Sequence, residues 1–208
     1  MFAAALSGFA LSLSLILAIG AQNSFVIRQG LLNQHVLAVV LFCGIADTAL
    51  ICLGVLGLGQ LLAPFFDVYR PWLFGLAALW LAGYGLLRFR DGLRMKTNPD
   101  LDGVSLYRPA QASLTQTLSV VVILTFTNPH VYLDTVILLG SLSMPFVGSD
   151  KLAFVCGAST ASLSFFAVLG FGARRLSHYI TSSHAWRMID FVTAFVMVLF
   201  AGLLVSQI

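Results

Sequence analysis

The sequence predicts an all-α membrane protein: a polytopic bundle of about six transmembrane helices in two inverted three-helix repeats. Three observations predict it. Only 9% of the 208 residues are charged and 59% are hydrophobic, whereas soluble domains are about 25% charged. The mean hydropathy of +0.97 leaves too little polar surface to cover a soluble globule, while a bilayer demands that composition. Finally, the apolar residues fall into six runs, and 208 residues supply the roughly 120 that six spans of about 20 residues need. With loops this short, residues 1–208 form a single membrane domain. The net charge of +3 and pI near 9.0 do not indicate nucleic acid, because the basic residues lie between apolar runs rather than on one face.

The first run, Phe2–Ile27, has no Lys or Arg before Arg28 and so lacks the basic start of a cleaved signal peptide. It is expected to remain as a span, although a break near Gly20 leaves re-entry, and hence five spans, as an alternative. The second run, Val36–Phe66, carries Asp47; the third is Trp72–Leu87. The fourth, Ser113–Gly140, contains Pro129, read as the only proline that interrupts a span, and Asp134. Leu152–Gly172 and Ile189–Val205 complete the set, with Asp190 at the mouth of the last. Cys43, Cys52 and Cys156 all lie in apolar runs with no metal-ligand spacing, and are read as small buried hydrophobes rather than disulfide or zinc partners.

Lys and Arg set the orientation. Nine of them (Arg28; Arg88, Arg90, Arg94, Lys96 and Arg108; Arg174, Arg175 and Arg187) follow spans 1, 3 and 5, against Arg70 and Lys151 on the other side. The first set is therefore expected in the cytoplasm, with both termini outside.

The halves, about 1–98 and 105–208, resemble each other. GIADTALICLGVLGLG from Gly44 aligns without gaps on GASTASLSFFAVLGFG from Gly157, and FGLAALWLAGYGLL from Phe74 resembles FVTAFVMVLFAGLL from Phe191. Asn23 and Asn128 occupy matching places. The alignment sets Thr160 opposite Asp47 and Gln29 opposite Asp134, so the acidic positions have diverged. Three spans per half force opposite orientations, the inverted repeat of many transporters, whose substrate sites lie at the midplane on interrupted helices.

Candidate chemistry clusters at the interruptions. Thr127-Asn128-Pro129 reads as a helix start inside a span, with Asn as N-cap and Pro in the first turn. Gly20 to Ser24, including Gln22 and Asn23, offers the same chemistry in the first half, with Asn23 or Ser24 as the cap. Exposed amide donors at such starts suit a carboxylate. Asp47, about 16 Å into its span at 1.5 Å per residue, and Asp134 each cost about 2.5–3.5 kcal/mol to insert. No Lys or Arg lies at matching depth, which favours a cationic ligand or a proton. His130 and Tyr132 flank the break, and His130 is a candidate proton relay. Each residue also has a structural alternative: a proline kink, a cap, or a hydrogen bond to a neighbouring helix.

GAQNSFVIRQGL, GIADTALI and TNPHVYLDTVILLG resemble the signature segments of the lysine exporter (LysE) family, in its lysine/arginine exporter branch, and the resemblance covers the whole chain. GAQN is the more specific piece, since the related homoserine/threonine exporters usually carry a Gly-Pro-type segment there. The resemblance implies a bacterial inner-membrane exporter of basic L-amino acids. Asp47 and Asp134 match the family's intramembrane aspartates, and Asn128-Pro129 matches its Asn-Pro motif. Residues and resemblance together give a site of Asp47, Asp134, Gln22, Asn23, Asn128, Pro129 and Tyr132. Asp47 and Asp134 are also the candidates for coupling to inward protons. No cofactor, metal or nucleic acid is implied, no nucleophile–base pair of an enzyme stands out, and the partners are a basic amino acid, protons and the bilayer, with a homo-oligomer left open. The rival readings are a cation or metal-ion permease and an exporter of neutral amino acids such as threonine or homoserine.

Overall fold

The computed structural model describes residues 1–17, 20–94, 112–179 and 183–206, which are helical with no strand among them. Four helices are long and apolar enough to cross a bilayer: Val36–Leu58, Pro71–Arg94, Ser149–Tyr179 and His184–Val205. Two helix pairs qualify only together: α1 (Phe2–Ile16) with α2 (Ala21–Leu32), bent by 85°, and α5 (Leu114–Phe126) with Pro129–Leu142, bent by 60°. The all-helical bundle is as expected, and with each bent pair taken as one span the count reaches six. Large aliphatic side chains one turn apart on α3 (Val36–Leu53), Leu37, Leu41 and Ile45, are exposed. Such an outward apolar row needs lipid.

Several expected boundaries change. The second run does not continue to Phe66 as a span: α3 passes into a π-helical stretch, Gly54–Leu58, and turns at Gly57, whose φ of 93° suits glycine. The chain then forms α4 (Gly59–Arg94), which contains Pro64 and Pro71. Pro129 is therefore not the only proline placed within a helix; Pro71, at the head of the apolar part of α4, removes one intrahelical hydrogen bond there. Arg28 lies inside α2 rather than in a loop, and Cys156 is exposed where burial was expected. Lys96 and Arg108, two of the orientation charges, lie outside the described residues.

How the first pair crosses follows from its register on α8 (Ser149–Leu176). The Met1 amino group pairs with Asp150. Gly8 faces the Phe154 backbone and Gly157 faces that of Ala5, so closely that a Cβ on either glycine would overlap the opposing carbonyl. With Met1 beside Asp150 at the start of α8 and Gly8 level with the Phe154–Gly157 turn, α1 runs parallel to α8. At the far end of α8, Gly30 of α2 lies against Gly170 and Ala173. The α1–α2 pair thus follows α8 from one end to the other, as a broken span does. A bulkier residue must push the two backbones apart: Gly157→Val is expected to destabilise the bundle by ~1–3 kcal/mol or more, read as lost monodisperse protein in size-exclusion chromatography, whereas the neighbouring Cys156→Ser is expected to be silent.

The second half mirrors this. The segment after α5 comprises α6 (Pro129–Val131), a π-helical stretch Tyr132–Leu138 and α7 (Leu139–Leu142). It packs on α3, with Gly140 against Gly54, while α4 lies along α9 (Ser183–Val205). Each broken span therefore lies on the second helix of the other half. Between them α3 and α8 cross antiparallel, where Gly44 meets Leu163 and Asp47 meets Ser162. A core of Phe25, Phe74, Phe166, Val39 and Met197 holds these elements in place.

Candidate functional site

The break in the fourth span forms as the residue types dictate. Asn128 has extended backbone (φ −81°, ψ 107°), its Oδ1 accepts from the His130 N–H at 3.1 Å, and Pro129 sits in the first turn. The Val131 N–H donates to the Asn128 carbonyl at 3.2 Å. Both early donors are thus taken by Asn128 itself, which corrects the expectation of open amides at this end: Asn is a good cap because it consumes them. The following π-helical stretch widens the helix at Asp134, and such π segments recur at functional sites.

The other break is built differently. The N-cap of α2 is Gly20, with no side chain capping the helix, so neither Asn23 nor Ser24 plays the expected role. The Ser24 hydroxyl instead donates back to the Gly20 carbonyl at 3.1 Å, and Asn23 Nδ2 donates to the Ile16 carbonyl, at the end of α1, at 3.2 Å. Asn23 therefore staples the two pieces of the first span. The backbone amides of Ala21 and Gln22 open α2, where an anion meets helix-start donors.

Both breaks open on one cavity of about 330 Å³. Gln22, Asn23, Asp47, Asn128, His130 and Asp134 line it, joined by Ser12, Thr135, Phe166 and Phe200. Among the described residues, no Lys or Arg lines this wall. Asp47 is 5% exposed, and its Oδ2 accepts from the Ser162 hydroxyl at 2.7 Å. Asp134 is half-buried. Gln22 is buried, and its Nε2 has no hydrogen-bond partner among the described residues. That is a cost a polar ligand would relieve. Pro129 and Tyr132 are not in the lining: Pro129 is buried in the helix start, and the Tyr132 hydroxyl donates to the Phe126 carbonyl at 2.9 Å across the break. Among the described residues no three His, Cys, Asp or Glu side chains gather as a metal site would need.

A family model, LysE type translocator, matches residues 13–208. The chain belongs to the LysE type translocator family. Its relatives include a Mycobacterium bovis protein provisionally named an amino-acid transporter, 41% identical over 187 residues that make up 89% of each chain. An Aeromonas salmonicida protein, YggA, with the same provisional naming, is 37% identical over 95% of this chain and 93% of its own. The arginine exporter protein ArgO of Escherichia coli K12 is 33% identical over 95% of this chain and 90% of its own. No solved structure matches. As a LysE-type translocator the chain is a multi-pass membrane transport protein, not an enzyme.

Within this translocator, two features escaped the sequence. Ser162, the partner of Asp47, is two residues from Thr160, which the repeat sets opposite Asp47; Thr160 is exposed and donates to its own helix at Cys156. The only signal for Ser162 was a hydroxyl within an apolar run. The second is the pairing of Arg28 with Asp190, 3.0 Å apart and both buried, which joins the first and last spans. Both residues were visible as charges, but not as partners 162 positions apart. For the capped break, Asn128→Leu is expected to leave the His130 N–H unpaired and loosen the segment that carries Asp134. Apparent substrate affinity should then fall by about tenfold with folded yield retained, as radioligand binding to purified protein would show.

Proposed function

We propose that this translocator exports basic L-amino acids, lysine or arginine, from the bacterial cytoplasm across the inner membrane, driven by inward proton movement. The observation that carries this is the shared cavity: Asp47 from one half and Asp134 from the other meet in one wall without a Lys or Arg among its described residues. Two carboxylates facing a largely apolar cavity call for a ligand with positive charge. Lysine and arginine supply two such groups, the α-ammonium and the side-chain cation. The α-carboxylate is assigned to the start of α2, where the first-turn amides of Ala21 and Gln22 and the unpartnered Gln22 Nε2 are the donors. The naming of the E. coli relative as an arginine exporter supports the same cargo.

Energetics supports coupling. Moving one net positive charge outward against an inside-negative potential costs about 2.3 kcal/mol per 100 mV, so accumulation outside needs a downhill partner, and inward protons are the simplest. The two halves act as inverted repeats, each broken span rocking on the second helix of the other. In proteoliposomes loaded with unlabelled arginine, labelled arginine and lysine are expected to accumulate by exchange and threonine is not. Accumulation of threonine instead would support the neutral-substrate rival, and exchange of none of the three would overturn amino-acid export.

The direction of transport rests on topology. Arg28, Arg88 and Arg94 line a common second cavity, while Met1 and Asp150 pair beside the loop that ends near Lys151. The first side is assigned to the cytoplasm by its Lys and Arg, with both termini outside. External cysteine labelling is expected to reach substitutions at Ser141 to Asp150 and to miss those from Asp91 to Arg108, most of which lie outside the described residues; the reverse pattern overturns the assignment.

A further inference from the structure

The second cavity, about 510 Å³, lies at the other end of α2 from the first and is the more polar. Arg28 and Asp190 line it, with Arg28 Nη2 and Nε 3.0 and 3.3 Å from Asp190 Oδ1. Beside them the wall holds Gln29 and Thr117, 3% and 2% exposed, whose Oε1 and Oγ1 have no hydrogen-bond partner among the described residues, and Arg88, whose Nε is likewise unpartnered. Buried polar atoms without partners cost stability that a ligand carrying matching donors and acceptors would recover.

We propose that this cavity is a second amino-acid site, and that a zwitterion seats itself there by replacing both halves of the Arg28–Asp190 pair. An ion pair this buried cannot be opened by a simple cation or anion, because the displaced partner would remain buried without a countercharge. A free amino acid carries both signs on one carbon. Its α-carboxylate takes the Arg28 guanidinium and its α-ammonium takes Asp190, while Gln29 Oε1 and Thr117 Oγ1 accept and donate the remaining hydrogen bonds. The exchange conserves charge and separates α2 from α9, the two elements that the pair ties together. Since α2 also begins at the first cavity, cargo at the second site loosens the helix that must move for cargo to reach the first. The inference rests on the reading of the cargo as an amino acid, but it adds a site and a recognition rule to that reading: both charges of the α-carbon are required.

The test is equilibrium dialysis of labelled L-arginine against the purified full chain in nanodiscs. Two arginines per chain are expected. Arg28→Met combined with Asp190→Leu removes both charges together, a replacement that buried ion pairs often tolerate, and is expected to leave one; Asp47→Asn is expected to lose the other. Labelled agmatine, an arginine analogue without the carboxylate, should be absent from the Arg28–Asp190 site. If the double variant does not fold, Thr117→Val with Gln29→Leu is expected to weaken this site alone by about tenfold. One arginine per chain, lost in Asp47→Asn and unchanged in the pair variants, overturns the second site while leaving the proposed function standing. No arginine binding in any form overturns both.

Discussion

Asp47→Asn is expected to abolish export of arginine and lysine while the protein still inserts and folds. Asn keeps the volume of Asp and can still accept from the Ser162 hydroxyl, which lies 2.7 Å from Asp47, so packing is preserved; losing an intramembrane charge even favours insertion. What disappears is the countercharge for a cation that must leave water. Removing one partner of a buried charged contact costs about 3–5 kcal/mol, so affinity should fall at least about 100-fold. Exchange of labelled for unlabelled arginine should stop with it. Exchange at wild-type affinity in Asp47→Asn would show that this aspartate serves only to bond Ser162 and tie α3 to α8.

Asp134→Asn is expected to fail in a different way. Asp134 is half-buried on the π-helical stretch one turn beyond His130, and both face the cavity. An imidazole carries two ring nitrogens, one able to take a proton while the other gives one up, which makes this the side of the cavity suited to passing a proton on. The variant should therefore bind arginine more weakly, by about 10- to 100-fold as for loss of one charged hydrogen bond, yet still exchange it at saturating concentration. It should no longer accumulate arginine when a pH gradient is imposed. A gradient response equal to wild type would remove Asp134 from coupling and leave His130 or Asp47 to carry it.

Those features of the fold that depend on composition and local chemistry were legible in the sequence. Apolar runs located the helices because lipid demands them, and Asn128-Pro129 located the break because cap and proline act within one turn. Gln22, Asp47 and Asp134, singled out as polar residues at or near the interrupted helices, line one cavity. The detail at each break did not follow. Asn23 and Asn128 hold matching positions, but Asn128 caps its own helix whereas Asn23 reaches back to Ile16, because only Asn128 is followed by a proline that fixes the first turn. Long-range polar pairs were hidden for another reason. Arg28 reads as a topology charge and Asp190 as a helix-end residue until packing of α2 on α9 brings them together. The turn at Gly57 was likewise hidden in an apolar run whose glycines, Gly54, Gly57 and Gly59, do not say which of them changes the chain's direction.

The central claim, that one cavity between the halves holds the basic amino acid, is tested most directly by a structure of the protein with L-arginine bound. Arginine is expected in the 330 Å³ cavity, its guanidinium and α-ammonium within hydrogen-bond distance of Asp47 and Asp134 and its carboxylate at the start of α2 beside Gln22. Arginine found there with its carboxylate toward the aspartates, or a structure at saturating arginine with that cavity vacant, would contradict it.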